Sequence, residues 1–167
     1  STGPKGNRVY FGYGTNKDGT LRIVDRKKRI EGPKEPPPGN LLYPEVARLD
    51  LPAFNGAHTT LPVLGVPIAE FQKDKDGRVR DFVIIVNEQI LNECTEARQM
   101  VFFVDITTEN RPFSVSNYNV SEASGSFCSR GGRFGAHASN ENQPPMYARR
   151  VLFVSWFNAG VRAIDIR

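Results

Sequence analysis

The chain contains two histidines, and each closes a version of the same short motif: Phe54-Asn55-Gly56-Ala57-His58 and Phe134-Gly135-Ala136-His137. Neutral imidazole is the commonest protein ligand for transition metals. Joined by carboxylate it makes a ligand set suited to zinc, iron or copper. Glu88 and Glu141 are the carboxylates that the repeat pattern brings nearest, so His58, His137, Glu88 and Glu141 form a candidate site for a divalent transition metal. The plainer alternative is that each histidine caps its strand and hydrogen-bonds a neighbouring unit. Cys94 and Cys128 are the other reactive pair. Either could serve as a nucleophile with a histidine, both could be free thiols, or the two could be joined. No Gly-x-Ser-x-Gly motif is present, and two histidines leave few ways to assemble a Ser-His-Asp triad.

What must position these residues is a repeat. Three times an apolar strand runs into a loop and then into a strand ending in hydrophobic-Asp: 9–14 with 20–25, 83–88 with 100–106, and 151–156 with 160–166. A repeated pattern implies one structural unit stacked on its neighbour. The remaining strands are read from β-branched and aromatic runs bounded by turn residues, at 45–51, 58–64, 68–71 and 114–120. Asp-Gly pairs at Asp18-Gly19 and Asp76-Gly77 supply turns. Asp74 and Asp76 hint at a calcium loop, but the later Glu of that signature is missing and a plain turn is favoured. Arg26-Lys27-Lys28-Arg29 reads as a solvated hairpin end. The proline run Pro36-Pro37-Pro38 cannot join a ladder and reads as an exposed loop. Ile90, Leu91, Cys94 and Ala97 recur at helical spacing, which predicts a short helix within 88–99.

In register, the copies give a four-strand antiparallel unit whose inner strand starts at His58 or His137. The fold class expected is all-β, a β-propeller segment of about three four-stranded blades, incomplete at both ends. The boundaries are a partial blade at 7–52, a full blade at 53–121 and a partial blade at 127–167. The histidines are 137 − 58 = 79 positions apart. That is long for a blade of roughly 40–45 residues, and the excess falls in loops. Ten strands cannot close a ring of at least about four blades. The expectation is a fragment of a longer chain or a subunit completed by another chain.

Gly135-Ala136-His137 followed by 151–166, Val-Leu-Phe-Val-Ser-Trp-Phe-Asn-Ala-Gly-Val-Arg-Ala-Ile-Asp-Ile, resembles the LVIVD-repeat β-propeller family, as does Leu21-Arg22-Ile23-Val24-Asp25. The segment 127–135 resembles secreted bacterial members. The resemblance implies a propeller and a periplasmic or extracellular location, and it implies little chemistry. The long Pro-rich insertion and the small number of repeats depart from the family pattern. Blade geometry sets Cys94 and Cys128 in loops on one face of the ring. The oxidising compartment that the resemblance implies then favours a Cys94–Cys128 disulfide.

The same face collects Arg130, Arg133, Asn140, Trp156 and Asn158 as candidate ligand-binding residues. The segment 130–134 resembles an Arg-Gly-Gly element for RNA, but a single copy between strands is more simply a turn. Lys+Arg 22 against Asp+Glu 18 leaves a net charge of +4, too little to imply nucleic acid. No run approaches the roughly 18 apolar residues of a membrane span. The expected role is a non-catalytic binding or scaffold propeller of an extracytoplasmic protein or complex. Its partner would be a protein or the remaining blades. A metal-dependent enzyme with a His/Glu site at the channel mouth is the alternative.

Overall fold

In the computed structural model, residues 6–15, 18–32, 44–122 and 125–167 are described. Three antiparallel sheets of three, four and three strands follow one another along the chain. The first contains β1 (Arg8–Tyr13), β2 (Thr20–Asp25) and β3 (Glu45–Asp50). The second contains β4 (Thr59–Val66), β5 (Arg80–Val86), β6 (Val101–Asp105) and β7 (Phe113–Tyr118). The third contains β8 (Ala138–Ser139), β9 (Val151–Ser155) and β10 (Val161–Asp165). Within each sheet the strands pair in chain order, so every connection joins neighbours.

The core lies between sheets and divides in two. Leu21, Ile23, Val83, Ile85, Phe102 and Val104 fill the layer between the first and second sheets. Leu61, Val63, Ile84, Val86, Leu152 and Val154 fill the layer between the second and third. The continuous run Val83-Ile84-Ile85-Val86 follows from this. Successive side chains point to opposite faces, and both faces of β5 are covered here. All four residues are buried, as expected of a strand with no solvated side.

Three local readings of the sequence are corrected. The basic run at 26–29 is not a hairpin end but the start of a helix, α1 (Arg26–Glu31). Asp25 caps it by accepting the Lys28 N–H at 2.9 Å, which satisfies one of the orphan amides of the first turn. Residues 68–71 are not a strand: Ala69–Phe71 is a turn of 3-10 helix, followed by an Asx turn in which Asp74 accepts the Asp76 N–H at 2.9 Å. Asp74 faces the guanidinium of Arg78 at 3.0 Å.

The third correction is the segment 88–99, which holds no helix. Glu96 explains why. Its Oε1 accepts the amides of Ile90 at 2.5 Å and Leu91 at 2.7 Å and the side-chain amide of Gln89 at 2.8 Å. A carboxylate that collects local amides competes with the helical ladder. Glu93 and Cys94 adopt positive φ, 53° and 60°, which breaks any helical run. The proline run lies outside the described residues. No helix among the described residues is long and apolar enough to cross a membrane.

Candidate functional site

The motifs that end in histidine lead directly into the first strands of the second and third sheets. His58 precedes β4 and His137 precedes β8. The His58 amide donates to the Val86 carbonyl at 3.2 Å, and the His137 amide to the Ser155 carbonyl at 3.0 Å. Each histidine backbone thus extends the pairing of its strand by one residue, in matching positions on two sheets. The side chains meet: the rings stack with centroids 5.1 Å apart at 20°. The Phe157 ring stacks on the far side of His137 at 5.0 Å. The guanidinium of Arg133 covers Phe157 at 5.2 Å.

Glu88 faces this column from the end of β5. Its Oε2 lies 3.5 Å from His58 Nε2, and its Oε1 lies 3.6 Å from His137 Nε2. Arg133 Nη1 donates to the same Oε1 at 3.2 Å. The carboxylate is largely sheltered while the imidazoles are more open, with side-chain exposures of 16% for Glu88, 34% for His58 and 41% for His137. His58 Nδ1 sits 2.9 Å from the His137 carbonyl oxygen. A carbonyl only accepts, so Nδ1 carries a proton, and Nε2 is the ring atom turned toward Glu88.

The two glycines of the motifs are required by close approach. A Cβ on Gly56 would fall 2.1 Å from the Thr15 carbonyl oxygen, and one on Gly135 would fall 2.4 Å from Gln89 Oε1. Behind the motifs lie buried amides, of which the sequence reading did not single out Gln89 and Gln99. Gln89 and Gln99 are fully buried. Gln99 Oε1 accepts the Gly56 N–H at 3.1 Å and its Nε2 donates to the Phe54 carbonyl at 2.7 Å. Gln89 donates its backbone N–H to the Ala136 carbonyl at 2.9 Å and accepts the Gln99 N–H on Oε1 at 3.3 Å. Asn87 Nδ2 donates to Asn55 Oδ1 at 3.2 Å. These amides tie the first histidine motif to the second through the β5–β6 loop. Their one signal in the sequence is position: Asn87 and Gln89 follow β5, and Gln99 precedes β6.

Cys94 and Cys128 are joined, with Cα atoms 5.5 Å apart. The bond ties the β5–β6 loop to the segment that carries Arg133 and His137, and it removes both thiols as nucleophiles. Such a pair fits an oxidising compartment.

The other candidate residues separate. Glu141 is exposed and is not within the group formed by His58, Glu88 and His137. It lines a neighbouring cavity with His58, Thr60, Ser139 and Asn142. Trp156 is wholly buried in the core rather than on the face, packed edge-on against Tyr118 at 5.7 Å. Asn158 staples the loop below Arg133, donating to the carbonyls of Phe127 at 2.8 Å and Gly131 at 3.1 Å. Asn140 accepts the Phe153 N–H at 3.1 Å and so lengthens the β8–β9 pairing. Arg130 lies over the Phe127 ring at 4.9 Å. Arg133 alone of these five touches the histidine–carboxylate group.

Compared with known proteins, the chain matches no family model, no curated protein and no solved structure.

Proposed function

We infer that this chain is part of a β-propeller of the LVIVD-repeat kind and acts as a non-catalytic binding or scaffold module of an extracytoplasmic protein or complex. The observation that carries the reading is the equivalence of His58 and His137. They hold matching positions on successive sheets, pair their backbones alike and stack ring on ring. Successive antiparallel sheets, packed face to face and repeating at the same end, are what blades around an axis require. The β1–β2, β5–β6 and β9–β10 loops emerge at that end, and rigid sheets that present loops on one side make a recognition surface. The disulfide and the buried amides hold those loops still, which lowers the ordering cost of binding. Arg133 and Phe157 are the anchors this face offers, since arginine and aromatic residues dominate binding energy at interfaces.

Cross-linking mass spectrometry in the native extracytoplasmic fraction tests this. Partner cross-links should fall on 88–98, 126–133 and 157–160. Arg133→Glu and Phe157→Ala should remove them, while Arg111→Glu, in the β6–β7 loop at the other end, should not. Cross-links concentrated at the β6–β7 end, or unaffected by Arg133→Glu, would overturn the reading.

A further inference from the structure

We propose that His58, His137 and Glu88 form a binding site for a divalent transition metal of the zinc class, with one coordination position open to solvent. This deepens the reading of the loop face as the binding surface and depends on it only for location.

The first argument is the direction of the ring nitrogens. His58 Nδ1 is committed as a donor to the His137 carbonyl. Its Nε2, the ring atom left for a ligand, faces a carboxylate oxygen 3.5 Å away. Lone pair against anion is repulsive unless a cation or a proton stands between them. The second argument is distance. The contacts of 3.5 Å and 3.6 Å are longer than an ordinary N–H···O bond of about 2.7–3.2 Å. The 3.5 Å contact on Oε2 matches the edge of a tetrahedral site, where metal–ligand bonds of about 2.0–2.2 Å set neighbouring ligand atoms about 3.3–3.6 Å apart. The 3.6 Å contact falls on the other oxygen, Oε1. A ligand atom from each of the three residues lies within 4.8 Å of the others.

The third argument is support around the ligands. Ligating histidines typically donate their other ring N–H to a carbonyl or carboxylate, and ligating carboxylates are themselves hydrogen-bonded. His58 does the first through the His137 carbonyl. Glu88 does the second through Arg133 on Oε1, which leaves Oε2 toward His58. The backbones that carry the three ligands are fixed by strand pairing and by the buried amides Gln89 and Gln99. Two imidazoles and one carboxylate favour zinc and its neighbours in the transition series over calcium or magnesium, which prefer oxygen. Three protein ligands leave the fourth position for water or for a donor atom of a bound molecule.

The test is zinc titration by calorimetry on the chelator-treated, disulfide-intact protein, with nitrogen-15 NMR of the imidazole rings. One ion should bind per chain, with Nε2 of both rings shifting and Nδ1 of His58 keeping its proton. His58→Ala, His137→Ala and the near-isosteric Glu88→Gln should each weaken binding at least about tenfold. Millimolar magnesium should not compete. Circular dichroism identifies any variant that fails to fold, and Glu88→Gln then decides alone. Absence of a stoichiometric ion overturns the proposal, as does binding that all three variants retain, which would mean an adventitious surface ion only. Either result leaves the cross-linking outcome untouched, so failure of the metal site and failure of the binding-module reading are told apart.

Discussion

Gln99 and Gly56 are joined by a buried hydrogen bond: the Gly56 N–H donates to Gln99 Oε1 at 3.1 Å across 43 positions of sequence. The same side chain donates to the Phe54 carbonyl at 2.7 Å. One amide therefore grips both sides of the turn that delivers His58.

Gln99→Met keeps the volume and removes both polar atoms. It strands the buried Gly56 N–H, which costs about 1–3 kcal/mol when left without a partner, and removes the bond to the Phe54 carbonyl. Urea unfolding should show a loss in that range or above it. A loss under about 0.5 kcal/mol would mean that the amide does not hold the turn.

Gly135→Ala should destabilise by about 1–3 kcal/mol, because overpacking a filled interior forces its neighbours to shift. The added carbon would meet Gln89 Oε1 at 2.4 Å and Gln89 Cβ at 2.6 Å, and Gln89 is fully buried with nowhere to swing. Gly12→Ala is the comparison. Its nearest contact would be Ala57 Cβ at 3.2 Å, so the cost should be smaller. Equal midpoints for the two variants would contradict this packing.

Cys94→Ser with Cys128→Ser should lower stability by about 3–4 kcal/mol, the loop-closure entropy for a cross-link of this span. The sequence separation is 34. Guanidinium unfolding of the wild type with and without reductant should reproduce the difference, while the double variant ignores reductant.

Alkaline stability should depend on Tyr10. Burial, with the charges of Glu109 and Asp81 adding to it, pushes its hydroxyl up from 10.0 to about 12. The folded state therefore holds its proton more tightly than the unfolded chain does. That contribution is complete below pH 10 and is lost as pH rises through about 12. Melting temperature against pH should fall less steeply over this interval in Tyr10→Phe than in the wild type. At pH 7 the same variant should be neutral or slightly stabilised, because the Tyr10 hydroxyl is buried with no hydrogen-bond partner among the described residues.

Much of the scaffold is readable in the sequence, and the reasons are physical. The run Val83-Ile84-Ile85-Val86 and the alternation at Leu21-Arg22-Ile23-Val24 announce strands, because burial on two faces and on one face leave different patterns. The register of the repeat suffices to bring His58 beside His137. Which strand ends share a side puts Cys94 and Cys128 on one face, and the oxidising compartment implied by the family resemblance is what favours joining them. Other features leave no such trace. α1 buries no residue and is held at its start by Asp25 and Asn7, so apolar periodicity cannot find it. Ile90, Leu91, Cys94 and Ala97 imitate a helical face, yet Leu91 is exposed and Glu96 takes the amides a helix would use. Gln89 and Gln99 have the composition of surface residues, and only the loop they close sends them inside. Glu141 shares its side of the molecule with His58 but belongs to a different cavity.

Because both faces of β5 are covered over 83–86, that stretch has no position where a polar residue could be substituted at small cost. The usual freedom of every second strand residue to drift is absent at 83–86. β7 is the opposite case: five of its six residues are exposed, so its sequence can wander. Over evolutionary time the second sheet should therefore age unevenly, its middle fixed in composition while its outer strand and the β6–β7 loop are rewritten.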